Sequence, residues 1–218
     1  MTAALTLGIL LAYEVAILIM QRRDSSRLAR AVHANLREEW FTALSQRPGT
    51  EILAVQTLRN SLMSATMTAS TAALGLIGAV TLTTPSLNAT FISNESLMTL
   101  LSGRTALELI LIVILFASLV CSATAVRYYN HAGFICSMPV NSVERQRWGP
   151  TGVAYVRRAG LLYSWGLRHL LMVAPLLAFV VYPMAGPVAA LIVVVALVAF
   201  DSFPAVGPQT PGPKSFKP

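Results

Sequence analysis

Long apolar runs alternate with short polar stretches along this chain. A helix needs about 20 predominantly apolar residues to cross a bilayer. Residues 2–20 form the first such run, interrupted only by Glu14. Residues 60–83 form the second and carry no formal charge. Residues 109–126 form the third, bounded by Glu108 and Arg127. From His169 to Phe200 there is no formal charge when the histidine is neutral, and that run is too long for one span. The segment Tyr182-Pro183-Met184-Ala185-Gly186-Pro187 breaks it, because proline and glycine end one helix and start the next. The pattern predicts a fourth span over 161–182 and a fifth over 187–203. The expected fold is an all-α integral membrane protein, a bundle of about five transmembrane helices forming one domain over 1–203.

The stretch between the first two runs has a different rhythm. Ser25 or Ser26 can cap a helix start. Leu28, Val32, Leu36, Trp40 and Leu44 then recur every four residues and form one apolar stripe. Arg27, Arg30, Arg37, Glu38 and Glu39 fill much of the rest. This predicts an amphipathic interfacial helix over 25–46, in the first cytoplasmic loop, with Trp40 as its anchor in the headgroup region. The alternative is a soluble helix packed on the cytoplasmic end of the bundle. The Pro- and Gly-rich tail, residues 204–218, reads as an extended arm that a partner could order.

Charge supplies the orientation. Arg22, Arg23, Arg27, Arg30, Arg37, Arg47 and Arg59 lie between the first and second runs. Arg127, Arg145, Arg147, Arg157 and Arg158 lie between the third and fourth. Only Arg104 lies between the second and third, and the tail carries Lys214 and Lys217. Five spans with the N-terminus outside put every basic cluster in the cytoplasm, whereas four spans would put the lysine tail outside. The expected location is a bacterial inner (plasma) membrane. Met1 to Tyr13 carries no basic residue, so the first run does not read as a secretory signal. Asn88-Ala89-Thr90 and Asn94-Glu95-Ser96 match glycosylation sequons, a short pattern that chance supplies often.

Composition agrees with a membrane class. The 218 residues are 55% hydrophobic and 11% charged, with mean hydropathy +0.65, where a soluble domain carries about 25% charged residues. The net charge of +7 does not indicate nucleic acid, because the basic residues flank apolar runs. Cys121 and Cys136 read as free thiols; there is no CxxC and no Cys/His spacing for a metal.

Candidate chemistry gathers near one boundary. With the expected orientation, Glu14, Arg59, Asn60, Arg127, Asn130, His131, Arg168 and Asp201 converge on one layer near the cytoplasmic surface. Charges at that depth must pair or reach water, and Glu14 and Asp201 are the expected partners of Arg59, Arg127 and Arg168. The layer reads as a structural ion-pair belt with snorkelling arginines, as a lipid-headgroup, quinone or small-molecule site, or as a proton or ion pathway. His131 and His169 are candidates for axial ligation of a b-type haem, although no second pair and no CxxCH site exists. No metal and no cofactor is otherwise expected. Along the second run Ser64, Thr68, Thr71, Gly75, Gly78 and Ala79 are small and suit close helix packing. Serine-hydrolase, phosphate-loop and zinc-protease patterns are absent, and no catalytic constellation is visible.

Three stretches carry a resemblance. They are Gln56-Thr57-Leu58-Arg59-Asn60-Ser61-Leu62-Met63, Tyr128-Tyr129-Asn130-His131-Ala132-Gly133-Phe134, and Tyr163-Ser164-Trp165-Gly166-Leu167-Arg168 followed by Pro175. Their order and spacing resemble the domain-of-unknown-function family numbered 599, small polytopic membrane proteins of bacteria and plants. The resemblance spans about Leu11 to Phe203 and leaves out the proline-rich tail. It implies the membrane architecture and no particular reaction. The functional expectation is a non-catalytic accessory or structural subunit of a larger integral membrane complex. Its partners would be the bilayer, anionic lipid headgroups and other integral subunits or a second copy, with no nucleic acid. The rival is a small-solute transporter or channel.

Overall fold

The structure, a computed structural model, describes residues 1–23, 29–92 and 103–201, with side chains at 1–20, 32–88 and 103–201. The expected cap at Ser25 or Ser26, the Asn94 sequon and the tail from Pro204 lie outside the described residues. Among those residues the chain is all-helical: α1 (Thr2–Arg23), α2 (Ala29–Leu44), α3 (Glu51–Ile92), α4 (Gly103–Ser137), α5 (Val143–Val181) and α6 (Ala185–Asp201). Four of them, α1, α3, α4 and α5, are long and apolar enough to cross a membrane. Helix α6 is apolar but has 17 residues. These helices mark a membrane protein.

The helices overrun the apolar runs that announced them. α3 has 42 residues and starts at Glu51, and α5 has 39 and starts at Val143, not near Leu161. At a rise of about 1.5 Å per residue, α3 is roughly 63 Å long, twice the apolar thickness of a bilayer. Hydropathy marks where lipid can sit, not where a hydrogen-bond ladder stops. The basic stretch after Ser142, expected as loop, is therefore helical. Ser142 caps it: its hydroxyl accepts the Arg145 backbone N–H at 3.1 Å, and Glu144 in the first turn complements the helix dipole. The break before α6 falls where proline and glycine predict it, and α6 starts at Ala185, two residues earlier than expected.

A seven-residue rhythm holds the long helices together. On α4 the buried positions step by three and four: Glu108, Leu111, Leu115, Ser118, Ser122, Ala125, Tyr129, Ala132 and Cys136. On α3, Leu58, Ala65, Ala72 and Ala79 are buried at every seventh position. On α5, Arg145, Gly152, Ala159, Gly166 and Val173 do the same. Such spacing keeps one seam facing its neighbour along left-handed antiparallel packing. Helix α4 is the central element and packs on both α3 and α5. Of the small α3 residues singled out from sequence, Thr68 and Ala79 are on that seam, while Ser64, Thr71 and Gly78 are exposed. Helices α4 and α5 approach closely at Gly166. Ser118 donates to its carbonyl at 2.7 Å, and a Cβ there would overlap the Ser122 hydroxyl.

The remaining helices pack at different levels of α5. Helix α2 lies on its first half, α6 packs on it as well, and α1 packs chiefly on α6. One core, around Phe41, Leu58, Tyr129, Ile135 and Val156, occupies the α2 end of the bundle. The others, around Leu111, Leu115, Leu176 and Phe179 and around Tyr13, Ile17, Met172 and Leu197, lie further along. The face of α2 differs from the stripe read in the sequence. Ala34 and Phe41, seven residues apart, are buried, while Leu36 is 60% exposed. The face that α5 selects is offset from the four-residue stripe, and Glu38 pairs with Arg157 across it at 2.9 Å.

Candidate functional site

Arg168, a buried charge in the second half of α5, is placed where α1, α5 and α6 meet. Its side chain is 4% exposed, and its Nη2 donates to Asp201 Oδ2 at the end of α6. The Tyr13 hydroxyl of α1 donates to the same oxygen at 2.8 Å. The guanidinium also stands over the rings of Tyr13 (5.4 Å) and Trp165 (5.9 Å), favourable cation–π positions. One carboxylate thus ties three helices through charge-assisted hydrogen bonds. Around it the buried atoms Arg168 Nη1, Glu14 Oε1 and His169 Nδ1 have no hydrogen-bond partner among the described residues. The His169 ring lies 5.7 Å from Trp165. Chemically the cluster can lock helices, or offer an unused donor and acceptor to a polar group.

The expected single layer is in fact divided. Arg168 and Asp201 meet as the sequence suggested. Arg59 does not reach Glu14; it is exposed and, with Asn130, lines a cavity of about 360 Å³ between α3 and α4. Asn60 and Arg127 are exposed on the helix surface. The exposed His131 packs its ring 5.8 Å from Tyr155. Tyr155 and His169 are both on α5, separated by fourteen residues or roughly 21 Å of helix. The structure therefore does not bring His131 and His169 together as axial ligands of one haem. Among the described residues no group of three or more His, Cys, Asp or Glu could hold a metal ion.

Four arrangements were missed from sequence. Tyr13 is the hydroxyl partner of Asp201. It lies on the buried α1 face with Thr6, Leu10 and Ile17, whose spacing of four, three and four was a readable signal. Arg145, 3% exposed, donates to the Ile135 carbonyl in the last turn of α4 and to Ser45 Oγ at 3.1 Å. It also stands 5.1 Å from the Phe41 ring, so one cation joins α2, α4 and α5. Its place in the seven-residue series with Gly152 and Ala159 could have announced it. At the opposite end Glu108, 1% exposed, accepts from Arg104 at 3.0 Å and from the Ser86 hydroxyl at 2.5 Å, joining α3 to α4. The fourth is a second cavity of about 310 Å³, lined by Arg37, Trp40, Ser61 and Val156 among others. Leu58 and Tyr129 form a wall common to both cavities.

No curated protein and no solved structure matches this chain. The family described as protein of unknown function, DUF599, matches residues 1–206, further at both ends than the three sequence stretches suggest, and the chain belongs to that family.

Proposed function

We propose that the protein is a non-catalytic accessory or structural subunit of a larger integral membrane complex, contacting lipid and partner helices. The observation that carries this reading is the use of buried charge. Arg168 with Asp201 and Tyr13, Arg104 with Glu108 and Ser86, and Arg145 with Ile135 and Ser45 each fasten one helix to another. Between the locks the seam is built of Ala65, Ala72, Leu111 and Leu115. Charge spent on fastening supports a scaffold more than a solute path.

The reading includes five spans. Seventeen residues of α6 cover about 25 Å, enough for a thin bilayer core. Arg37, Arg47, Arg59, Arg127, Arg145, Arg147, Arg157 and Arg158 gather toward the α2 end, and Arg104 alone of the described arginines lies at the other. That asymmetry supports a cytoplasmic α2 end and an N-terminus outside, in a bacterial inner membrane. Helix α2 then lies at or below the headgroups, with Trp40 at the interface. A small-solute transporter is the second reading, favoured by the buried atoms of Glu14, Arg168 and His169 that have no partner among the described residues.

Purification from native membranes in mild detergent, without crosslinking, separates the two. The subunit reading expects a stoichiometric assembly with another integral protein or a second copy, measured by mass photometry. A monomer that moves a solute across liposomes overturns it.

A further inference from the structure

The two cavities share one wall, one level and one kind of charge. Each is walled mainly by apolar side chains, Val55, Leu62 and Phe134 in one and Leu36, Trp40 and Val156 in the other. Among the described residues, each contains one arginine and no acidic residue. Among the described residues neither Arg37 nor Arg59 pairs with a carboxylate. Arg37 is nevertheless positioned. Its guanidinium lies against the Cα of Gly160, where any Cβ would overlap it. Two arginines with no carboxylate beside them among the described residues call for an external anion.

The level indicates its source. Leu58 and Arg59 stand where the apolar run of α3 begins, and Tyr129 and Asn130 stand just past the end of that of α4. In a bilayer this is headgroup depth, where tryptophan such as Trp40 also concentrates. Arginine forks match phosphate oxygens, and basic recesses between helices at this depth suit lipid headgroups. The lack of a carboxylate among the described lining residues selects further, since none of them would neutralise the ammonium of a zwitterionic lipid. We propose that the twin cavities flanking the Leu58–Tyr129 wall are seats for anionic phospholipids. In each, one phosphodiester lies on Arg37 or on Arg59 with Asn130, and acyl carbons lie on the apolar walls. The site goes beyond the subunit reading, because a lipid can seat on a monomer or an assembly alike.

The test uses the full chain, delipidated in nonionic detergent and titrated with phosphatidylglycerol or phosphatidylcholine. Native mass spectrometry counts retained lipids. Phosphatidylglycerol should be retained about fivefold better per arginine than phosphatidylcholine. Arg37→Gln and Arg59→Gln should each lose one seat, and the double variant both. Gly160→Ala should displace Arg37 and reproduce Arg37→Gln at unchanged net charge. Equal retention of the two lipids, or full retention by the double variant, overturns the proposal. So does competition by glycerol phosphate as strong as by lipid, which would make this a free-phosphate site, or an acidic partner segment crosslinked into the cavities instead. Should a variant fail to fold, the parent alone decides. Its preference for phosphatidylglycerol must shrink as salt rises from about 0.1 to 0.5 M, and a salt-independent preference overturns the idea. A chain that is monomeric straight from native membranes, yet retains phosphatidylglycerol, counts against the subunit reading and leaves this one standing.

Discussion

Arg168 replaces its hydration with one carboxylate and two aromatic faces. Removing one partner of such a desolvated pair costs about 3–5 kcal/mol, whereas an exposed arginine is worth about 0–1. Arg168→Ala should therefore lower the melting temperature in detergent strongly, Arg168→Lys should recover part, and Arg59→Ala should melt close to the parent. A double-mutant cycle with Asp201→Ala isolates the pair; additive losses would deny the lock. The pairing of Arg168 with Asp201 was legible because both interrupt or close apolar runs, leaving few partners. The role of Glu14 was not. Neighbouring residues on a helix point about 100° apart, and the buried face of α1 contains Tyr13 instead. Arg59 shows the same limit, since spacing gives the face a residue occupies and not what lies opposite.

Among the elements, α4 and α5 depend on their small contact residues. Gly166→Val would push α5 off the Ser118–Ser122 stretch of α4, and overpacking of this kind costs about 1–3 kcal/mol. A drop in melting temperature is expected, with a larger drop than for Val substituted at exposed Gly78. Arg145→Ala should loosen α2 selectively, because the guanidinium joins Ser45 and Phe41 to the end of α4. Hydrogen exchange should quicken over Ala34–Ser45 and stay slow over Leu107–Leu115; unchanged exchange in α2 would refute that role. Helix existence and the break at Pro183 were readable from hydropathy and from proline. Helix length was not, since α3 and α5 continue through polar sequence that hydropathy scores as loop. The sevenfold series was present in the sequence, but the large apolar residues around it masked a seam made of alanine, glycine and serine.

Across the whole molecule, charge and apolar length together predict a topology. Cysteines placed at Met184, in the turn before α6, should label from outside, and cysteines at Gln146 only from the cytoplasm, after Cys121 and Cys136 are replaced. The reverse pattern, or both sites on one side, would break the five-span reading. The Tyr13–Asp201 bond has a different consequence, for biosynthesis. It joins positions 188 residues apart in the chain, so α1 cannot reach its final seat until α6 has left the ribosome. Until then α1 has lost its main neighbour, and Arg168 is a solitary cation inside a half-built bundle. A nascent chain stalled before Ala185 should present that cation to the insertion machinery and to membrane proteases. A truncation ending at Met184 should be cleared faster than the parent in pulse-chase, and Arg168→Leu in the truncated chain should slow its clearance. Arrival of α6 would then be signalled by the burial of a single guanidinium.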